Sequence, residues 1–485
     1  MSFKEYNQDQ AFLLPMSLHD FVPEGHLARV IDAIVEELDL TGILSRYSDL
    51  GCTAYHPAMM VKVLFYGYAM GERSSRVIAH KLTSDVAFMY LSGMQHPDFR
   101  TICRFRKDHI EMLHDLFVQI VRLCAELGMV SVGVIALDST KMKANASYRN
   151  TKGLRFLEED LKGIEERIAR ILKESDKTDT EEDKQMGETE SPYQIIEDLR
   201  EAQSLREKLK AAKEKLRLTG AKEVNLTDEE AVTMVHRQHK REPSYNGQIA
   251  AEKTNGIIVA ATLSNNPADY AAMKELIEQT HENIGTKPTV MLADSGYSSY
   301  ENLEYLEEQK IIGYMPDQWG ESINKGTRQN PDFDKSRFTY DPKTDTYRCP
   351  QAKPLTFNGF LRRPGKPPIR IYKGQACNDC KRRSECTRSR HRIVSQDPRE
   401  HLIRQMRQRL QTDEGRRIYG RRKVIVEPIF GDMKQNRRIR EFLLRGARKV
   451  RGEFLLFCIT HNLRKIAKYI RNMRDNPFKT HEVPA

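Results

Sequence analysis

Three acidic residues stand where chemistry can be built. Asp138 closes the apolar run Val134, Ile135, Ala136, Leu137 in "GVIALDSTKMKANAS", and Asp294 closes a second run in "PTVMLADSG". An apolar run ending in a carboxylate reads as a buried strand that presents a charge at its tip. Carboxylate oxygens are the hard ligands that Mg²⁺ prefers, and cations held this way perform phosphoryl chemistry. Such chemistry usually wants a third acid, and the best candidate is Glu427 in "YGRRKVIVEPIFGDMKQNRRIR". Ile418, Ile425, Ile429, Phe430 and Met433 can form an apolar helical face there. At about 3.6 residues per turn, Lys423 and Lys434 fall near the face of Glu427. Ammonium groups on that face suit a phosphodiester. Pro428 must kink or restart the helix. Taken alone, the segment also reads as a surface glutamate in a basic helix.

The elements that position these acids follow from periodicity. Residues 133–141 read as a strand, and "SYNGQIAAEK" with "GIIVAATLS" as a hairpin turning at Thr254–Gly256. "PADYAAMKELIEQTHEN" and "SYENLEYLEEQK" read as helices on either side of the strand "PTVMLADSG", with a last short strand in "IIGYMPD". This order predicts a mixed sheet with an antiparallel hairpin at one edge. If the first and fourth strands lie parallel and adjacent, about 4.8 Å apart, Asp138 and Asp294 leave the sheet at the same end and can share a cation.

Before this core, residues 1–130 read as helical. "HLARVIDAIVEELDL" carries apolar residues at helical spacing, and "PAMMVKVLFYGYAMGERSSRVIAHKL" gives a helix opened by Pro57, a Gly turn and a second helix capped near Ser74. That is a helix-turn-helix shape. The following "DFRTICRFRKDH" puts Arg100, Arg104, Arg106 and Lys107 on one helix. It reads either as a DNA-contacting helix or as a charged face of a bundle. Residues 154–220 form a charged, heptad-like pair of helices about the acidic hinge "KESDKTDTEEDKQMGETESP". The pair is an antiparallel arm, a dimer contact or a solvated spacer.

Cys349, Cys377, Cys380 and Cys386 sit between the last strand and the Glu427 segment, two of them as "CNDC". Four thiolates can make a closed zinc site; the alternative is four reduced thiols in a small basic subdomain. Arg362, Arg363, Lys381, Arg382 and Arg383 surround them. Cys52, Cys103, Cys124 and Cys458 read as isolated small apolar residues, and His461 and Asn462 as polar support on an amphipathic helix. "GFLRRPGKP" has the wrong glycine spacing for a phosphate loop. A single tryptophan, Trp319, gives no aromatic stripe for base stacking.

Charge points to a polyanion. The 485 residues carry a net +11, and the excess is segregated. Residues 435–474 hold 12 basic and two acidic side chains and residues 362–390 hold ten and two, whereas residues 158–190 hold 13 acids and six bases. Such segregation fits surfaces that meet phosphates. No run approaches the roughly 18 apolar residues of a membrane helix, and "MSFKEYNQDQ" has no apolar signal core. Scattered cysteines suit a reducing cytoplasm.

The stretches "YHPAMMVKVLFYGYAMGERSSRVIA", "PDFRTICRFRKDH", "ALDSTKMKANAS", "SYNGQIA", "LADSGYSS" and "VEPIFGDMK" resemble a DDE transposase of a bacterial insertion sequence. The resemblance is to the subgroup with a helical N-terminal domain and a cysteine-bearing insertion before the final glutamate. It implies an α/β fold: a ribonuclease-H-like mixed sheet with helices on both faces, preceded by an all-α domain. The expected divisions are a DNA-binding domain at 1–130, a catalytic core at 131–320 and 400–475, an inserted arm at 150–225 and a Cys-rich insertion at 321–399. The resemblance makes Asp138, Asp294 and Glu427 the metal-binding triad. Glu427 and Lys434 keep the spacing of the family's tyrosine, arginine, glutamate, lysine signature; Lys423 stands in the arginine's place and Tyr419 is one residue out of step. Two Mg²⁺ ions about 3.5–4 Å apart, or Mn²⁺, would serve hydrolysis at the transposon ends and joining of the freed 3′ ends to target DNA. Lys141, Lys143 and Lys434 would neutralise phosphates, with Lys423, Arg437 and Arg438 also on DNA. A homodimer on double-stranded DNA with terminal inverted repeats is implied, in the bacterial cytoplasm at the nucleoid. Two other readings are a nuclease of this fold that cuts without joining and a DNA-binding regulator.

Overall fold

Val, Ile and Leu runs build the central sheet. The computed structural model describes residues 16–48, 53–131, 133–182, 192–236, 239–317 and 331–475. Cys52, Trp319, the N-terminal ten residues and residues 183–191 of the acidic hinge lie outside the described residues. The strands are β1 (Val134–Lys143), β2 (Thr151–Gly153), β3 (Glu223–Asn225), β4 (Val232–Val235), β5 (Arg241–Glu252), β6 (Ile258–Ser264), β7 (Val290–Leu292) and β8 (Ile312–Tyr314). Six of them form one sheet in the order β4-β5-β1-β7-β8, with β6 also on β5. β1 runs antiparallel to β5 and parallel to β7, so the expected mixed sheet with a hairpin at one side is present. β4 is an additional strand, too short and exposed to leave an apolar run. β1 also does not end at Asp138. It continues through Lys143, paired to β5 as far as Ser244, because only its parallel neighbour β7 stops early.

The Ala447–Asp475 helix is the axis of the molecule. From Val450 to Leu463 nearly every side chain is buried, as in a helix covered on all sides. It packs on β6 and on the Pro57–Met70 and Leu113–Glu126 helices. The N-terminal helices and the sheet therefore share one continuous apolar core. Among the described residues no helix is long and apolar enough to cross a membrane.

Buried polar groups fix the register of this helix. Asn462 accepts the Ile258 N–H at 2.9 Å and donates to the Ile258 carbonyl at 2.9 Å. His461 Nε2 lies 3.0 Å from the Gly256 carbonyl, so the neutral ring donates there. Burial, then the nearby Arg437 charge, pushes the His461 imidazole down to about 3 from 6.5. A depressed imidazole stabilises the fold fully above pH 6.5 and loses that contribution as pH falls toward 3. Its share of the acid limb is at most about 1.4 kcal/mol per pH unit. His461→Gln, which cannot titrate, is expected to flatten that limb in urea unfolding at pH 7.5, 6 and 5. Parallel stability curves for parent and variant would refute the assignment.

The N-terminal helices begin and end as their caps dictate. Pro57 occupies the first turn of Pro57–Met70, Gly71 closes it at φ 85°, and Ser74 precedes Ser75–Lys81. Pro57–Met70 is buried almost throughout, so it is a core helix. Arg100, Arg104 and Lys107 are exposed on Phe99–Asp108, and Arg104 pairs with Asp108 at 3.4 Å. Arg106 corrects the expected DNA contact. It is buried and donates to Tyr68 Oη and the Arg73 carbonyl, both at 2.9 Å.

The inserted arm comprises the Leu154–Glu182 and Pro192–Thr219 helices, closed at its base by the antiparallel β2–β3 pair. Leu157, Leu161, Ile164 and Ile168 meet Ala202, Leu209, Ala212 and Leu216 in a core of their own. Ion pairs of Glu158 with Lys213 and of Arg167 with Asp198 show that the helices run antiparallel. The second insertion is a separate five-stranded sheet, ordered β13-β12-β11-β10-β9. Its strands are β9 (Thr339–Asp341), β10 (Thr346–Arg348), β11 (Pro354–Arg363), β12 (Lys366–Gly374) and β13 (Ile393–Gln396).

Candidate active site

The register of the central strands brings two acids together. β1 and β7 pair as far as Ala136 with Leu292; Asp138 and Asp294 each lie two residues beyond that last pair, near enough for the Asp294 charge to act on the Asp138 carboxyl. The Ser139 N–H donates to Asp138 Oδ1 at 2.9 Å, and the Gly296 N–H donates to Asp294 Oδ1 at 2.9 Å. Burial pushes the Asp138 carboxyl up to about 6. The Arg422 guanidinium opposes that shift, while the Asp294 and Asp269 carboxylates add to it. Arg422 Nη1 lies 3.4 Å from Asp138 Oδ1.

Asp269 is an acid that the sequence reading missed. Asn246 Nδ2 donates to its Oδ1 at 2.7 Å and Gln248 Nε2 at 3.5 Å, and Gln248 in turn accepts from Tyr297 Oη at 3.0 Å. Two amides from β5 thus hold the Asp269 carboxylate beside the Asp294 turn. Gly296 makes room for it. A Cβ there would fall 2.7 Å from Asp269 Oδ2 and 3.0 Å from Asp294 Oδ1. Gly296→Ala must therefore move one carboxylate or the turn. Misplacing a reacting group by about 1 Å can cost roughly 10²-fold in rate. For the DNA cleavage that the sequence resemblance implies, a loss of that size is expected with an unchanged melting temperature, and cleavage within twofold of the parent would refute it.

Glu427 is exposed on the Asp413–Gly431 helix. The expected break at Pro428 does not occur. The helix runs through the proline to Gly431, and the irregularity comes one turn later as a π-helical turn, Asp432–Asn436, that carries Lys434. Ile425, Ile429 and Met433 are buried on the apolar face as expected, joined by Val426. Glu427 and Asp138 line one cavity of about 960 Å³ together with Lys141, Lys143, Lys434 and Arg422. Asp294 is not among its lining residues. Lys434 Nζ lies 3.4 Å from the Lys141 carbonyl, and Lys143 pairs with Glu441 at 3.4 Å. His236, Lys240 and Arg440, none of them singled out from the sequence, add to this basic wall.

One expected DNA contact is corrected here, that of Arg437. Lys423 is exposed and does not line the cavity, whereas Arg422 does. Arg422 sits one turn before the fully buried Val426 and so leans toward the sheet, whereas Lys423 lies beside Val424, which is 74% exposed. Arg437 is buried, pairs with Asp432 at 2.9 Å and donates to Thr460 Oγ1 at 2.8 Å, tying the π-helical turn to the last helix. Burial lowers its guanidinium to about 10. Arg438 is exposed at φ 55°.

The donor set suits a hard divalent cation. Asp138, Asp294, Asp269 and Glu427 offer only carboxylate oxygens, the ligands of Mg²⁺ and Mn²⁺. Among the described residues, no three His, Cys, Asp or Glu side chains already stand as a coordination sphere. The four cysteines of the second insertion line one small, separate cavity.

Two families match the chain. A transposase domain family matches residues 16–108, and a transposase DDE domain family matches residues 348–467, which include Glu427, Lys434 and all four clustered cysteines. No curated protein matches the chain. Transposase families thus match the chain at both the helical N-terminal region and the segment carrying Glu427, and the two matches indicate a DDE transposase of insertion-sequence type.

Proposed function

We propose that this transposase cuts DNA at the ends of an insertion sequence and joins the freed 3′ ends to target DNA. The six-stranded sheet is read as a ribonuclease-H-like core, with Asp138, Asp294 and Glu427 as its metal-binding acids. The observation that supports the reading is the parallel pairing of β1 with β7, which ends two residues short of both Asp138 and Asp294, with Glu427 on the cavity that Asp138 lines. A bound Mg²⁺ or Mn²⁺ would supply Lewis-acid charge to the scissile phosphate and make the attacking hydroxyl more acidic. Lys141, Lys143 and Lys434 hold the phosphodiester against the acids. Arg422 offsets the crowding of negative charge at Asp138 and holds that carboxylate in place. Arg100, Arg104 and Lys107 offer a further exposed basic face for double-stranded DNA, beside a helix too buried to enter a groove. Synapsis of two ends would require two copies of the chain.

The test uses linear DNA carrying the element's terminal inverted repeats, with Mg²⁺ or with chelator. Metal-dependent nicking at the repeat ends and joined products are expected. Nicking without joining would reduce the protein to a nuclease, and binding without nicking would reduce it to a regulator.

A further inference from the structure

The five-stranded insertion has only a small apolar core of its own. That core is Phe338, Tyr347, Leu355, Tyr372 and Val394. Folds below roughly 70–80 residues generally need a disulfide or a metal as a staple. No cysteine here is in a disulfide among the described residues. Yet Cys349, Cys377, Cys380 and Cys386 come from three separate stretches and line one enclosed cavity of about 30 Å³.

The backbone is shaped to aim them. After β10 the chain reverses: the Ala352 N–H donates to the Cys349 carbonyl at 2.8 Å and the Cys349 N–H to the Lys353 carbonyl at 3.0 Å, with Ala352 at φ 57°. The Cys380 N–H donates to the Cys377 carbonyl at 3.2 Å, folding the CxxC into a tight turn. Cys386 ends the short Arg383–Cys386 helix. A Cβ on Gly374 would lie 2.5 Å from Cys377 Sγ, so glycine is required where the strand passes the thiol. The Arg392 N–H donates to Cys377 Sγ at 3.4 Å. The Arg392 guanidinium donates to the Cys386 and Phe333 carbonyls at 3.3 and 3.2 Å, closing the loop over the cavity.

We propose that Cys349, Cys377, Cys380 and Cys386 bind one Zn²⁺ as a closed tetrathiolate site that holds the basic insertion in shape. Four sulfurs with no oxygen donor select zinc over magnesium, and a structural zinc site takes four ligands in tetrahedral geometry. The thiols do not yet form the sphere; binding would draw them into the cavity onto Zn–S bonds of about 2.3 Å. The site is independent of the acids, and Arg362, Arg363, Lys381, Arg382 and Arg383 ride on the element it would brace.

The full chain, purified under reducing conditions, is expected to hold one zinc by mass spectrometry. Cobalt substitution is expected to give thiolate charge-transfer and tetrahedral absorption bands. The paired change Cys377→Ser and Cys380→Ser should lower zinc to zero, while Cys103→Ser keeps one per chain. Four freely titrating thiols with no bound metal would overturn the proposal. So would a disulfide among the four, or a cobalt form without thiolate bands; these last readings need no variant to fold.

Discussion

Asp138→Asn is expected to lower metal-dependent DNA cleavage by on the order of 10²–10³-fold or more, with DNA binding nearly unchanged. Asn has the size of Asp and can still accept the Ser139 N–H. What it loses is charge, at a position where Asp294, Asp269 and the Arg422 guanidinium all meet one carboxyl. An amide is a poor ligand for a hard cation, so the centre loses one of its acids. Binding survives because the basic wall of Lys141, Lys143, Lys434 and Arg440 is untouched, and phosphate contacts dominate affinity. Asp294→Asn and Glu427→Gln are expected to behave alike. The Glu427 variant is the sharper test, because Glu427 shares a cavity with Asp138 but not with Asp294. Gel-based nicking of inverted-repeat DNA, beside a mobility-shift titration, reads both quantities. Parental cleavage by Glu427→Gln would remove it from the centre and leave the acids Asp138, Asp294 and Asp269.

The parallel pairing of β1 with β7 was legible in the sequence, because two apolar runs that each lead into an Asp constrain both the elements and the end at which their charges emerge. Asp269 was not legible. It lies in the loop "NNPADY", where an Asp is ordinary turn chemistry, and only the amides of Asn246 and Gln248 on β5 show what it faces. Arg106 was legible and misread. It falls four residues after Ile102, on the same face as Phe105, so the period that buries those side chains also buries the arginine. Arg437 and Arg438 are neighbours with opposite fates because the positive φ of Arg438 turns the chain between them. A basic run reports composition, not which guanidinium points outward. The continuity of the N-terminal helices with the sheet was hidden for a similar reason. It depends on the Val450–Leu463 part of the Ala447–Asp475 helix being buried on nearly every side, polar residues included, which periodicity reads as one more amphipathic helix.

That helix also carries a buried carboxylate that ties it to Arg73 and to the chain just before the helix. Glu453 is fully buried. Its carboxylate accepts the Leu443 N–H at 3.0 Å and the Leu444 N–H at 3.0 Å, and pairs with Arg73 at 3.4 Å. Arg73 donates to the Glu441 carbonyl at 2.6 Å, and its own carbonyl accepts from the buried Arg106. Burial holds the Glu453 carboxyl above its ordinary range, opposed by the Leu444 N–H and the two arginines. Glu453→Ala would strand two buried backbone donors and remove the counter-charge of Arg73 and Arg106 at once. Breaking a buried pair from one side costs about 3–5 kcal/mol, and an effect of that size is expected in urea unfolding. Glu453→Gln keeps an acceptor for the two N–H groups and should lose less. Adding Arg73→Met to Glu453→Ala should return part of the loss, because the second change removes the charge the first left unpaired. A Glu453→Ala protein within about 1 kcal/mol of the parent would mean that water reaches the site, and that the N-terminal helices are held by apolar packing alone.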